Sequence, residues 1–281
     1  MRAGSEADKG WVNMVVAMPA EARPLVDRFG LRALPGCDPF RVYGSDRVRL
    51  IVSGSGKARA AAAAGYLFRL GGGQRDQGWL NVGVGGHGLH SPGSAFLAHK
   101  VSDECSLESW YPPRVFSAPC PGEEVLTVGR VEGQYPRPVI YEMEAAGFMA
   151  ASLGFSIAEL VQVLKIVSDN AENPASRVSS REITALLAAR LGAIEAVLDS
   201  LAALAGEIQA IERPPAEQEL FLQRWRFTVT QQHQLRELLR RWQLLFPGRS
   251  ALQSAAGQSR ARGVLKQLGL ELDAACPGLR P

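Results

Sequence analysis

The chain has 281 residues, of which 46% are apolar and 21% charged, with a formal net charge of +3. That is ordinary globular composition, sufficient for one large domain and an appendage, and the charge is too small to call for a nucleic-acid or membrane partner. Residues 207–281 carry 11 Lys/Arg against 7 Asp/Glu, whereas residues 1–206 carry 20 against 21, so the basic excess sits in the tail.

Residues 1–11 include acidic groups and no apolar run; they read as a disordered or extended lead-in, not as a secretory signal. The longest apolar-rich stretch, 183–211, is interrupted by Arg190, Glu195 and Asp199 and does not read as a membrane span. Cys37, Cys105, Cys120 and Cys276 are widely spaced with no CxxC pair, which suggests free thiols and a cytoplasmic protein. His87 and His90 share a loop, but no third ligand stands at a useful spacing, and neither a metal nor another cofactor is expected.

From residue 12 onward, Val/Ile-rich runs at 12–17, 48–52, 79–84, 95–101, 125–128 and 160–167 alternate with glycine-rich or helical segments. Helices are predicted over 20–29 and over the alanine-rich 57–70. The alternation, with near-continuous apolar runs such as VQVLKIV at 161–167, predicts a buried sheet with helices on both faces. Ser179 and Glu182 form a capping-box pair, opening one long helix with Ile183, Leu186, Leu187, Leu191, Ile194, Leu198 and Leu201 on a single stripe. Glu212-Arg213-Pro214-Pro215 reads as a linker. Beyond it, 230–246 sets Leu235, Leu238, Leu239, Trp242 and Leu245 on one helix face, and a second helical stretch covers 251–268. The expected organisation is a lead-in at 1–11, an α/β domain at 12–206 and a helical extension at 207–281.

Four segments could carry chemistry. Ser53-Gly54-Ser55-Gly56-Lys57 fails the phosphate-loop pattern, because Ile51 and Ala58 stand where a glycine and a Ser/Thr are needed. It also fails the dinucleotide fingerprint at Arg59 and is left as a tight strand-to-helix turn whose helix N-terminus could face a polar ligand. The loop 81–88 (NVGVGGHG) either turns the chain or lets a flat ligand approach the backbone. Glu142 and Glu144 stand two apart ahead of an alanine-rich helix, unremarkable if exposed but in need of partners such as substrate hydroxyls if buried. Ser168-Asp169-Asn170 follows an apolar strand, where ligands of open α/β sheets bind and where helix caps also occur.

Taken in order, AMPAEARPLVDRF (17–29), SGSGKARAAAAAGYLF (53–68), NVGVGGHGL (81–89), KVSDE (100–104), YEMEAAGFMAA (141–151) and LKIVSDNAE (164–172) resemble the nucleoside phosphorylase/nucleosidase superfamily. The resemblance covers about residues 12–205 and is to the 5′-methylthioadenosine/S-adenosylhomocysteine nucleosidase branch. It implies a three-layer α/β/α fold with a central twisted mixed sheet, a purine nucleoside substrate and a homo-oligomer, most simply a dimer. It also implies roles: Asp169 as the general acid at the purine N7, with Ser168 beside it, and Glu21 as the carboxylate that activates water. Glu144, with Met143 and Glu142, would stand at the ribose, and Gly85 and Gly86 along base and sugar. Glu21, and Val82 or Val84, occupy places where phosphorylases carry arginines, which favours water as the nucleophile; Arg23 nearby keeps a phosphate-using enzyme open. The segment 105–140 is shorter than its counterpart in that family, so base and 5′ specificity do not carry over, and a catalytically silent nucleoside-binding protein remains a second reading. The tail, outside the resemblance, reads as a packed helical hairpin, with a lid over the pocket or a nucleic-acid contact as alternatives.

Overall fold

A computed structural model describes residues 10–275; residues 1–9 of the expected lead-in, and Cys276, lie outside the described residues. In chain order the first unit runs β1 (Val12–Val16), α1 (Pro19–Arg28), β2 (Arg32–Ala33), β3 (Arg41–Gly44), β4 (Val48–Val52), α2 (Lys57–Leu70) and β5 (Gly78–Gly86). It continues with β6 (Ala95–Asp103), β7 (Ser109–Trp110), β8 (Gly122–Thr127), β9 (Ile140–Glu142), α3 (Ala145–Ser152), β10 (Val161–Asp169), α4 (Ser180–Ala188) and α5 (Leu191–Glu212).

Among the described residues all ten strands belong to one mixed sheet in the order β10-β6-β8-β9-β5-β1-β4-β3-β2, with β7 on β6. β10 also pairs in parallel with β5, which closes β5, β10, β6, β8 and β9 into a ring. β1 alternates faces as a strand must: Val12, Met14 and Val16 join an apolar cluster with Ala22 and Leu25 of α1 and with Ile183, Leu187, Ile194 and Leu201 of α4 and α5. Val15 faces the other way, into a cluster with Ala60, Ala63 and Leu67 of α2 and Phe148 and Met149 of α3. Helices therefore cover both faces, the three-layer architecture expected.

Three features differ from the sequence reading. The stripe from Ile183 to Leu201 lies on two helices, not one. The first ends with Ala189 N–H on the Ala185 carbonyl, and the second starts where the Arg190 carbonyl accepts from Ala193 and Ile194. Both pack on the same face of the sheet, so the three-and-four spacing runs through the break unmarked. Second, β2, β3, β7 and β9 carry too few residues for a periodic signal. Third, the stretch 251–268 divides into α8 and α9, described below.

One compact unit ends at Ile211 and another begins at Glu212; the expected boundary at 206/207 falls inside α5. The second unit holds α6 (Gln218–Arg224), α7 (Val229–Leu245), α8 (Ala251–Ser254) and α9 (Ala261–Ala275) around Phe221, Leu235, Trp242, Val264 and Leu268. Its buried indoles are satisfied, with Trp242 Nε1 donating to the Arg249 carbonyl (2.8 Å) and Trp225 Nε1 to that of Gln258 (2.9 Å). Among the described residues no helix is long and apolar enough to cross a membrane.

Candidate active site

Parallel pairing of β5 with β10 brings their carboxyl ends together, and Gly86 pairs with Asp169 on one side and with Tyr141 of β9 on the other. A cavity of about 310 Å³ opens there. Glu21, Gly85, Gly86, Glu142, Met143, Glu144, Ser168 and Asp169 all line it, so eight of the nine expected site residues converge. The ninth does not: Arg23 is exposed on α1 and is not part of the lining.

Glu21 is the third residue of α1, and its carboxylate turns back to the start of its own helix. Oε2 accepts from the N–H groups of Ala17 (2.8 Å) and Met18 (2.9 Å), and Oε1 from that of Val84 (3.0 Å). The side chain is thereby locked between α1 and the end of β5, and it is 1% exposed. Burial pushes its pKa above the ordinary glutamate value; Lys165 and the N–H groups of Val84 and Met18 oppose the rise, and Glu144 adds to it.

Glu144 caps α3. Its Oε1 accepts from Ser55 Oγ (3.0 Å) and from Gly56 N–H (2.8 Å), the residue before α2, while Oε2 takes no hydrogen bond from the described residues. The turn at 53–57 thus presents its helix N-terminus to a carboxylate of the protein itself. Ser55, which sequence reasoning left as part of a turn, also lines the cavity.

Glu142 is placed differently from the expectation. Thr127 Oγ1 (2.6 Å), Glu144 N–H (3.0 Å), Ala145 N–H (2.9 Å) and Lys165 Nζ (2.7 Å) all donate to its carboxylate. Oε2 takes three of these bonds, and Oε1 takes the Thr127 hydroxyl and a second contact from Ala145 N–H (3.0 Å), so both oxygens are engaged within the protein. Glu142 anchors the start of α3, and Glu144 beside it keeps a free oxygen.

Lys165 was not singled out from the sequence. Burial lowers its pKa, but the charges of Glu142, Glu144 and Glu21 and the Glu142 hydrogen bond outweigh that and hold it above the usual lysine value. It is the buried counter-ion of three cavity carboxylates. No arginine or lysine among the described residues lines the cavity itself.

Asp169 accepts from Tyr135 Oη at 2.5 Å on Oδ2 and from Ser168 Oγ on Oδ1, and its carbonyl receives His87 N–H (2.9 Å). A Cβ on Gly86 would stand 2.4 Å from Asp169 Oδ2 and 2.6 Å from Tyr135 Cε1, so only glycine fits there. Tyr135 was also missed by sequence reasoning.

Behind this wall the fold supplies the third ligand-type residue that the sequence spacing lacked. Glu123 of β8 lies with its Oε2 3.6 Å from His90 Nε2 and 4.0 Å from His87 Nε2. His87 Nδ1, however, accepts N–H bonds from Leu89 (3.0 Å) and His90 (3.1 Å). With Nδ1 accepting two N–H bonds, a neutral His87 ring carries its proton on Nε2; burial and His90 lower its pKa. A metal on Nε2 would require that proton on Nδ1, facing two N–H groups; the cluster does not fit a metal ion.

The sheet and its two helical layers form a three-layer α/β/α fold with a carboxylate-lined cavity at the strand ends. Among solved structures, Arabidopsis thaliana 5′-methylthioadenosine nucleosidase is similar to it at 19% identity, over 69% of this chain and 96% of that one, with a TM-score of 0.58. Helicobacter pylori 5′-methylthioadenosine/S-adenosylhomocysteine nucleosidase, solved with butyl-thio-DADMe-Immucillin-A, is 14% identical over 68% and 99% of the two chains (TM-score 0.54). The futalosine hydrolase of H. pylori is 16% identical over 69% and 100% (TM-score 0.53). No protein-family model matches the chain, and no curated protein does. At these identities the likeness is one of fold.

Proposed function

We propose that the protein hydrolyses the N-glycosidic bond of a purine nucleoside, releasing the free base and a ribose derivative. The observation that carries this reading is the pairing of two buried acids, Glu21 and Asp169, in the lining of one cavity that also holds Glu144 with an unoccupied oxygen. In this reading Asp169 protonates or hydrogen-bonds N7 as the C1′–N9 electron pair withdraws into the base. Water adds to C1′ and passes its proton to Glu21. The free Oε2 of Glu144 accepts from the ribose hydroxyls, with Met143 beside the sugar and Gly85 and Gly86 along base and ribose. Such contacts favour the oxocarbenium-like transition state by tightening as positive charge grows on the sugar.

Water is favoured over phosphate because Glu21 lines the cavity and no lysine or arginine among the described residues does, whereas phosphate binding calls for an arginine clamp. The exposed position of Arg23 weakens the phosphorylase alternative. A neutral 5′ group is proposed from the apolar part of the lining, Met18, Val128, Val178 and Ile183, and adenine is the first base to test. A dimer is the proposed assembly, as implied by the family resemblance of the sequence.

The test is release of free base from 5′-methylthioadenosine, 5′-deoxyadenosine, S-adenosylhomocysteine, adenosine and inosine, followed by chromatography. Asp169→Asn is expected to lower kcat by about 10²–10⁴-fold while sparing nucleoside binding. Wild-type protein that binds a nucleoside but never releases its base would favour the silent-binder reading instead.

A further inference from the structure

We propose that Tyr135 is the positioning residue of Asp169, fixing from behind the carboxyl that faces the leaving base. The proposal rests on the reading of Asp169 given above. Asp169 lines the cavity and Tyr135 does not, yet the Tyr135 hydroxyl lies 2.5 Å from Asp169 Oδ2. With Ser168 Oγ on Oδ1, both carboxyl oxygens are tied and the plane of the group is set.

Three independent features converge on this bond. Tyr135 has a backbone φ of 47°, the left-handed region that bulky residues rarely adopt, and the chain there turns its side chain inward. The ring is 7% exposed and packs with Leu126, Val128, Val139 and Tyr141, the last edge-on at 5.9 Å between centroids. Gly86 leaves room for both partners where any Cβ would strike each of them. Burial and the Asp169 charge also raise the phenol's pKa, so it keeps its proton and remains a donor. An apolar cluster needs a ring at this place; only Asp169 needs the hydroxyl.

The consequence is kinetic. With Oδ1 held by a neighbour in sequence and Oδ2 free, the carboxyl could pivot about its terminal torsion, and displacements of about 1 Å at a reacting group cost up to about 10²-fold in rate.

Tyr135→Phe removes one oxygen and keeps the ring. It is expected to lower kcat for base release by about 10–100-fold while KM changes by less than about threefold. In an Asp169→Asn background the same substitution should cost nothing further, because the two residues act as one unit. Ser168→Ala, which releases the other oxygen, serves as the second variant and should show the same dependence on Asp169. Wild-type kcat in Tyr135→Phe, or equal losses with and without Asp169, would make Tyr135 merely a packing residue and overturn the proposal alone. A wild-type protein that releases no base from any nucleoside overturns the functional reading, and the proposal with it.

Discussion

Lys165 Nζ and Glu142 Oε2 meet at 2.7 Å inside the sheet, with both side chains 1% exposed. The pair joins β10 to β9, and through Glu142 it fixes the first turn of α3, where Glu144 stands. Removing one partner leaves the other charged and dry. Lys165→Met is therefore expected to destabilise the fold by about 3–5 kcal/mol, measured by denaturant unfolding. A loss below about 1 kcal/mol would mean that water or another cation replaces the ammonium.

The pH dependence follows from Glu21. A general base works ionised, so turnover should rise with pH as Glu21 loses its proton. Because burial holds its pKa above the ordinary glutamate value, the rising limb should lie on the alkaline side of that value. Lys165 opposes the rise, so any active Lys165 variant should move the limb further up in pH. Glu21→Gln should lower kcat by about 10²–10⁴-fold and abolish the limb. A pH–rate profile unchanged in Glu21→Gln would remove Glu21 from the mechanism.

Substrate charge is the third consequence. Glu21, Glu132, Glu142, Glu144 and Asp169 face one cavity whose lining contains no lysine or arginine among the described residues. Adenosine 5′-monophosphate should therefore have a kcat/KM at least about 10–100-fold below that of a neutral 5′-substituted adenosine, and Glu132→Gln should narrow the gap. Equal values for the two substrates would show that the 5′ group never enters the field of these carboxylates.

Gly147 tests how α3 is held. A Cβ there would stand 1.9 Å from the Lys57 carbonyl oxygen at the start of α2. Gly147→Ala must push the two helices apart, drawing Glu144 away from Gly56 N–H and Ser55. A destabilisation of about 1–3 kcal/mol is expected, with a loss of kcat/KM beyond what reduced folding accounts for. Thermal melting alongside kinetics separates the two effects.

Much of this architecture was legible in the chain. The runs that became β1, β4, β5, β6, β8 and β10 are apolar because a covered sheet has no wet face, and Ser179 with Glu182 marks the start of α4 as a reciprocal cap. Glu144 and Asp169 stood out because carboxylates are conspicuous at the ends of apolar segments, whereas Glu21 was reached only through the family resemblance. Lys165 had its own signal, a charge inside VQVLKIV, where a strand covered on both faces cannot leave a cation without partners. Tyr135 had none: an aromatic in a proline-rich loop looks the same whether it packs or donates to a distant aspartate. The role of Glu142 was equally hidden, since Thr127 and Lys165 reach it from separate strands. Glu123 joined His87 and His90 only through strand pairing, which no spacing along the chain reveals.

The most direct test of the central claim is the effect of phosphate on the products of nucleoside cleavage. Hydrolysis predicts free base and a reducing sugar, formed at the same rate with and without millimolar phosphate. Base release that requires phosphate, with a pentose 1-phosphate as co-product, would contradict the assignment of Glu21 as the water-activating base.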